Sequence, residues 1–261
     1  MKIFPRIRPV GKRRPAEFDD FAGLVRVPIA RRATGVVSCA VANQPVLEVH
    51  SLGLVPYWIA LDRQRELVVA RQSGDVTDQL LLLEHPAVIT VGVSGRGNRN
   101  HVLASAAELS DRGIDVLDVS RGGSVTYHGP GQLVGYPVID LKPDRCDVHG
   151  YVRDLEEVLI RAMASFGVIA QRVRGLTGVW VGNDKLAAIG VRLSRWVTSH
   201  GFALNVTADL EQFRLIVPCG LEGRGVTSLE QITGAVPTRF DLETAVANEF
   251  ARVFARRLCY P

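Results

Sequence analysis

Apolar side chains recur at helical spacing in three long segments of the chain. The first runs from Tyr57 to a stop at Gly74, and the second covers residues 147–166, with Asp147 as its N-cap. The third covers residues 242–253, close to the C-terminus. Each pattern places an apolar stripe along one side of a helix, so we predict three helices.

Strand patterns account for much of the remaining chain. The apolar run at residues 80–92 predicts a buried strand that is interrupted at His85-Pro86. A short helix near residues 103–112 and a strand at 133–140 follow. The runs TGVWV and KLAAIGVRL flank Gly182-Asn183-Asp184, a typical hairpin turn, and HGFALNV alternates as a third strand. We therefore predict an α+β fold, a single domain with a central mixed β-sheet flanked by helices.

The positive charge of the chain is concentrated at its N-terminus. The 261 residues carry a net charge of +4, but residues 1–35 alone hold nine Lys/Arg and three Asp/Glu, which leaves −2 for the remainder. We predict a poorly packed basic extension over residues 1–45 and a folded domain over residues 46–261. A near-neutral domain does not favour a nucleic-acid groove, and no apolar run approaches the ~18 residues that a membrane span needs. We expect neither nucleic acid nor membrane as a partner.

The cysteines and the N-terminus indicate the compartment. The four cysteines are scattered without C-x-x-C spacing, which is typical of a reducing environment and disfavours a disulfide framework or a structural zinc site. Arginines interrupt the apolar portions of the N-terminus, so no signal peptide is predicted. We predict a cytoplasmic protein, with organellar targeting by the basic leader as an alternative.

A glycine-rich segment, RGGSVTYHGPGQLVGYPVIDL, begins at Arg121. Glycines at this density allow the backbone to approach a ligand closely or to adopt positive φ. The segment fits neither a P-loop nor a dinucleotide-binding motif. A second loop, SGRGNRN at Ser94, faintly resembles the glycine–arginine loop of biotin ligases but lacks the second half of that pattern. The six histidines show no metal-ligand spacing, so we predict no cofactor and no metal.

Cys219 is the strongest candidate nucleophile. It stands between Pro218 and Gly220 at the end of a predicted strand, in LIVPCGLEGRGVTSLE. A cysteine is more often a small buried apolar residue, and that alternative stays open here. Further along, Thr227 and Glu230 have the spacing of a helix capping box, unless a strand occupies that position.

A thiol at its ordinary pKa of ~8.5 needs activation to act as a nucleophile near neutral pH. Lys185 is a candidate activator because it opens an otherwise apolar run directly after a tight turn. The alternative is a lysine at a hairpin end with its amine in water.

Taken together, four segments resemble the lipoyl(octanoyl) transferase family. RGGSVTYHGPGQ matches the signature of that family, and GVWVGNDKLAAIGV resembles its lysine segment. SHGFALNV is similar to its substrate-lining strand, and IVPCGLEGRGVTSL to its cysteine segment. The four segments occur in the same order over roughly residues 46–235. The N-terminal extension lies outside the resemblance.

The resemblance implies a fold shared with biotin and lipoate ligases, which is class II synthetase-like. It implies transfer of an octanoyl (or lipoyl) group from acyl carrier protein to a lysine of lipoyl domains. The implied donor is octanoyl-acyl carrier protein, and the implied acceptors are the lipoyl domains of 2-oxoacid dehydrogenases and glycine cleavage H proteins. Cys219 would carry the acyl group as a thioester, and Lys185 would lower the pKa of the thiol and act as acid and base. No nucleotide is required, because the donor is already an activated thioester. The implied acyl-pocket residues are Arg121, Gly122, Gly123, Ser124, Val125, Thr126, Tyr127, His128, Ala188, Ile189, Gly190, Gly201, Phe202 and Ala203.

Several alternatives remain at this stage. An ATP-dependent lipoate or biotin ligase on the same fold is the main one. A non-catalytic acyl-binding protein and a thioester hydrolase are two others, although a pure binder has no use for both Cys219 and Lys185. Tyr127 and His128 could be ordinary core residues with satisfied polar ends.

Overall fold

The computed structural model describes residues 44–97, 99–217 and 223–261, with the backbone alone at Arg99. Nearly all of the predicted extension lies outside these ranges, so its boundary stays a prediction. The described strands are β1 Val46–Leu54, β2 Asp78–Glu84, β3 Val88–Val91, β4 Asp115–Asp118, β5 Val125–His128, β6 Gln132–Val138, β7 Gln171–Val173, β8 Leu176–Val181, β9 Asp184–Ser194, β10 Val197–Asn205, β11 Gly225–Val226 and β12 Arg257–Cys259. The described helices are α1 Tyr57–Ser73, α2 Ala106–Asp111, α3 Val148–Ala164, α4 Leu229–Thr233 and α5 Arg239–Phe254.

The described strands form two sheets. The larger has nine strands in the order β12-β1-β2-β6-β10-β9-β8-β7, with β11 added beside β9. It is mixed, because β1 pairs in parallel with β12 and β2, and β11 in parallel with β9, while the other pairs are antiparallel. The smaller sheet has the order β4-β3-β5. These sheets confirm the predicted central mixed sheet.

Helices cover both faces of the larger sheet. Helices α3 and α5 pack on one face around a fully buried core that includes Leu155, Val246 and Phe250. Helix α1 covers the other face, where Leu67 meets Val134 and other residues of β2, β6 and β10. Two buried layers on either side of one sheet make the predicted single α+β domain.

The helix termini follow the local sequence. Gly74 ends α1 in the left-handed conformation, and the Asp147 side chain accepts a hydrogen bond from the His149 N–H at the start of α3, so both predicted signals are confirmed. The predicted capping box was wrong by one residue. Helix α4 begins after Ser228, whose side chain accepts from the Gln231 N–H.

The buried carboxylate of Asp78 connects the larger sheet to helix α1. The Asp78 carboxylate, on β2, accepts hydrogen bonds of 2.7 Å from both Arg71 of α1 and Arg256 beside β12. It also accepts from the Asp140 N–H at 3.1 Å. One carboxylate therefore joins three segments that are distant in sequence.

No described helix combines the length and the apolarity that a bilayer crossing demands.

Candidate active site

A cavity of about 510 Å³ lies where the glycine-rich loop before β5 meets β9 and β10. The first residues of α1 and α3 and the turn between β7 and β8 complete its wall. Its lining is mixed. Phe202 and Ile189 contribute apolar surface, whereas Tyr57, His128 and His200 contribute polar groups. The cavity can therefore hold an apolar chain with a polar end.

The guanidinium of Arg121 anchors the glycine-rich loop and is itself buried. Its Nη2 donates to the carbonyl oxygen of Thr90 at 2.7 Å, and its Nη1 donates to the Gly122 carbonyl at 2.9 Å. Thr90 lies on β3, so this side chain fixes the loop to the smaller sheet. Arg121 thus shapes the cavity through hydrogen bonds to backbone and to the Thr90 hydroxyl.

Glycines allow the loop to lie close to two strands. A Cβ at Gly92 would approach the Gly123 carbonyl oxygen to 2.4 Å, and a Cβ at Gly190 on β9 would approach the Gly122 carbonyl oxygen to 3.0 Å. The Gly122 N–H donates to the Val191 carbonyl at 2.9 Å. The loop is therefore clamped between β3 and β9, as a position of close backbone approach requires.

Lys185 is half-buried on β9 and borders the cavity. Its Nζ lies 4.7 Å from the centroid of the Trp180 ring, and the Arg224 guanidinium carbon lies 5.3 Å from that centroid. Both distances suit cation–π contacts. Gly178, at φ +122, leaves room for the lysine stem, because a Cβ there would lie 3.4 Å from Lys185 Cε and 2.6 Å from the Ala187 carbonyl oxygen.

Strand β11 holds the segment after the predicted nucleophile against Lys185. Val226 pairs with Lys185, and the Thr227 N–H donates to the Lys185 carbonyl at 3.0 Å. The Asn183 side chain donates to the Gly223 carbonyl at 3.1 Å. Cys219 itself lies outside the described residues, so its proximity to Lys185 stays a prediction.

Tyr57, Tyr136 and His128 line one side of the cavity, and the buried His85 ring packs against all three of them. His85 Nδ1 lies 2.6 Å from the Val55 carbonyl oxygen, and its Nε2 lies 2.8 Å from the Tyr136 hydroxyl. Because the carbonyl can only accept, Nδ1 carries the proton and the tyrosine donates to Nε2. Burial lowers the pKa of His85 to about 4 and raises the pKa of Tyr57, which is hydrogen-bonded to Tyr136, to about 12.

His200 and Ser124 bring further polar atoms to the cavity. His200 has φ +57 within β10, and its backbone N–H donates to the side-chain oxygen of Gln64 at 2.7 Å. Burial, with nearby Arg121 and Arg192, lowers the pKa of His200 to about 3. Within the described ranges, His200 Nδ1 and Ser124 Oγ are buried without a hydrogen-bond partner. Such atoms are costly unless a ligand satisfies them.

The structure brings most of the predicted site residues to this cavity. Tyr127 is not among its lining residues, because its ring packs edge-on against Phe213 in the core of the smaller sheet. The role of each residue toward a substrate remains a prediction. The predicted residues that line the cavity are Arg121, Gly122, Gly123, Ser124, Val125, Thr126, His128, Lys185, Ala188, Ile189, Gly190, Gly201, Phe202 and Ala203.

Several polar residues at the site were not predicted from the sequence. Tyr57 was assigned only to the apolar stripe of α1, and Tyr136 and His200 only to strands, although all three line the cavity. A buried-strand pattern that contains tyrosine or histidine is the one available signal, and it does not tell a core residue from a cavity residue. Among the described side chains, no group of three or more histidine, cysteine or acidic residues is placed to hold a metal ion.

Solved structures share this fold at low sequence identity. The bipartite lipoate protein ligase of Thermoplasma acidophilum superposes with a TM-score of 0.62 at 15% identity, over 84% of this chain and 87% of that chain. A lipoate-protein ligase A bound with ATP gives a TM-score of 0.60 at 16% identity, over 84% of this chain and 89% of that chain. The fold is therefore that of the lipoate protein ligases, as predicted.

Sequence comparison defines the family. The model of the lipoyl protein ligase A/B catalytic domain matches residues 56–251. An octanoyltransferase of Chloroflexus aurantiacus is 50% identical over 212 residues, which are 80% of this chain and 94% of that protein. An octanoyltransferase of Acidobacterium capsulatum is 49% identical over 230 residues, covering 82% of this chain and 93% of that protein. The chain belongs to the lipoyl protein ligase A/B catalytic-domain family, and the predicted family is confirmed.

Proposed function

We propose that this chain is an acyltransferase that moves an octanoyl group onto a lysine of a lipoyl domain through a thioester on Cys219. The observation that carries the activity is the identity of about one half to curated octanoyltransferases over nearly their whole length. The polar and apolar walls of the cavity suit an acyl chain that ends in a reacting carbonyl.

The apolar part of the cavity would select the acyl chain. Burial of about six methylenes at ~0.8 kcal/mol each contributes roughly 5 kcal/mol to binding. That free energy is enough to discriminate chain length, yet small enough to let the product leave. Phe202 and Ile189 on the paired strands β10 and β9 are the proposed apolar contacts.

The proposed reaction has two steps. Lys185 takes the proton of Cys219, and the thiolate attacks the donor thioester. A new carbon–sulfur bond to Cys219 forms, the carbon–sulfur bond of the donor breaks, and the donor sulfur leaves with the proton that Lys185 returns. The lysine amine of the acceptor then attacks the enzyme thioester, which releases Cys219 and leaves an amide. Lys185 is the proposed acid and base, since it borders the cavity and its backbone is bonded to the strand that follows residues 218–222.

We further propose that the donor is an acyl carrier protein, whose prosthetic arm carries a phosphodiester. Most described arginines pair with a carboxylate, but some form no such ion pair, among them the exposed Arg174 and Arg192. Arg174 and Arg192 adjoin the cavity residues Gly175 and Val191. Unpaired positive charge at the border of the cavity suits an anionic donor.

The activity test compares two donor systems with a lipoyl domain as the acceptor. We expect acceptor octanoylation with octanoyl-acyl carrier protein in the absence of ATP, and none with free octanoate plus ATP. Cys219→Ser should abolish the transfer, while Cys146→Ser, at an exposed cysteine, should leave it unchanged. Modification that requires ATP would instead establish a ligase. Full transfer by Cys219→Ser would exclude the thioester.

A further inference from the structure

The hydrogen bonds around His128 fix which of its ring nitrogens carries the proton. His128 is buried and lines the cavity, and its Nδ1 lies 3.2 Å from Gln132 Oε1. Gln132 Nε2 lies 3.2 Å from the Tyr127 carbonyl oxygen and 3.1 Å from Asn205 Oδ1. Asn205 Nδ2 in turn lies 3.0 Å from the Thr227 carbonyl oxygen.

Main-chain carbonyls at both ends set the direction of this chain of amides. A carbonyl oxygen only accepts, so the groups that face Tyr127 and Thr227 must be the NH₂ groups of Gln132 and Asn205. The oxygen of Gln132 then faces His128 and can only accept. Nδ1 of His128 is therefore the protonated nitrogen, and in a neutral imidazole Nε2 keeps its lone pair.

The surroundings keep the ring neutral. Burial, together with His85 and the positive charge of Arg121, lowers the pKa of His128 well below its usual 6.5. Tyr57 stacks on the ring with a centroid distance of 5.8 Å, and His85 meets it edge-on at 5.8 Å. Hence the cavity wall presents an imidazole acceptor at neutral pH.

We propose that His128 is a further catalytic residue, whose Nε2 accepts the N–H of the attacking lysine amine during the second half-reaction. This assignment rests on the proposed function. Once the donor arm has left, the enzyme thioester offers only acceptor atoms and an alkyl chain. The incoming amine is then the substrate group that has an N–H to donate.

The proton balance of this step is closed. As the amine nitrogen bonds to the thioester carbon, Nε2 accepts a hydrogen bond from one N–H, and Lys185, left neutral when it protonated the donor thiolate, takes the proton that the amine loses. The carbon–sulfur bond breaks, and Cys219 leaves as a thiolate beside the Lys185 ammonium. The imidazole stays neutral throughout the step.

Gln132 and Asn205 are positioning residues in this proposal. They act through His128, and Asn205 also holds Thr227, whose N–H is bonded to the Lys185 carbonyl. The network therefore connects the imidazole to the backbone of the strand that carries Lys185. Loss of the hydrogen bond from His128 to Gln132 should allow both tautomers of His128 to be populated.

A spectroscopic test examines the tautomer directly. In ¹⁵N-labelled protein at neutral pH, we expect the His128 signals of a protonated Nδ1 and a bare Nε2. Gln132→Leu removes the acceptor of Nδ1 and should shift His128 toward a mixture of tautomers. His50, which is also buried and bonded to a glutamine at 2.7 Å, should keep its signals in that variant. A protonated Nε2 in the wild type would overturn the proposal.

A pair of substitutions separates catalysis from structure. His128→Asn retains a donor near the Nδ1 position but removes the acceptor, whereas His128→Gln places a polar atom near Nε2 and removes the donor. We expect His128→Asn to slow single-turnover transfer from the acyl-enzyme by about 100-fold, and to slow acylation by the donor far less. His128→Gln should recover part of that loss despite a lower melting temperature.

The control is His50→Asn, which breaks a similar buried histidine–glutamine pair away from the cavity lining. It should lower stability without slowing either half-reaction of the folded protein. If His128→Asn transfers at the wild-type rate, or if its loss is equal in both half-reactions, the inference fails while the acyl-enzyme still forms. If no acyl-enzyme forms in the wild type, the proposed function fails first.

Discussion

Lys185 and Arg224 both lie over the buried indole of Trp180, but only Lys185 borders the cavity. The glycine-rich signature and Lys185 could be recognised in the sequence, because their spacing is local. The amide chain through Gln132 and Asn205 could not, since its members are 73 positions apart and meet only when β6 pairs with β10. Tyr127 shows the same limit. Thr126 and His128 line the cavity, but side chains alternate along β5, and the Tyr127 ring therefore points into the core of the smaller sheet.

We predict that Lys185→Ala shifts the pH dependence of Cys219 alkylation to higher pH. The substitution removes a positive charge that favours the thiolate form of Cys219 and so lowers its pKa. The rate of iodoacetamide modification, measured against pH by mass spectrometry, reports the shift. Arg224→Ala is the matched control, since it removes the other cation from the Trp180 ring. An equal shift in both variants would mean that Lys185 has no specific role.

Among the elements, the helices and the β8–β9 hairpin were predictable, since capping residues, glycine stops and alternation are local signals. The apolar run at residues 80–92 was not fully predictable. It divides at His85-Pro86 into β2 and β3, which belong to different sheets. Strand β1 was missed, because Glu48 and His50 interrupt its apolar pattern and bond instead to Thr77 and Gln79.

The Asp78 junction gives a prediction at the scale of elements. Asp78→Asn leaves the guanidinium groups of Arg71 and Arg256 without their buried carboxylate, and we expect the free energy of unfolding to fall by about 3 kcal/mol. Urea denaturation measures the change. Asp62→Ala removes an exposed partner of Arg65 and should cost under ~0.5 kcal/mol. Equal effects of the two substitutions would contradict the structural role of Asp78.

For the whole molecule, the α+β class could be predicted, because both helical and strand periodicities occur along the chain. The number of sheets and the order of their strands could not, because they depend on pairings between strands far apart in sequence. Three imidazoles are buried in neutral form: His128 and His200 line the cavity, and His85 packs against His128. Each has a pKa lowered by burial. This arrangement couples the stability of the molecule to pH.

We predict that acid destabilises the protein from about pH 6.5 downward. An unfolded histidine binds a proton near 6.5, but folded His85 and His200 do so only near 4 and 3. Their contribution is complete above pH 6.5 and falls by about 1.4 kcal/mol per pH unit for each histidine until those values are reached. Urea midpoints measured across this range check the slope.

The control for this pH dependence is a matched pair of variants. His85→Gln removes one of the titrating groups, so the free energy of unfolding should fall less steeply with decreasing pH, by about 1.4 kcal/mol per pH unit. His149→Gln, at an exposed histidine, should leave this slope unchanged. Stability that stays constant between about pH 7 and 4.5 would contradict neutral burial of these rings.

The central claim is that the octanoyl group resides on the enzyme between donor and acceptor. Intact-protein mass spectrometry after incubation with octanoyl-acyl carrier protein tests it most directly. We predict one added octanoyl mass that hydroxylamine removes, that is missing in Cys219→Ser, and that moves to a lipoyl domain when one is added. An acceptor that becomes octanoylated while the enzyme never carries the group, even in rapid-quench samples, would contradict the account.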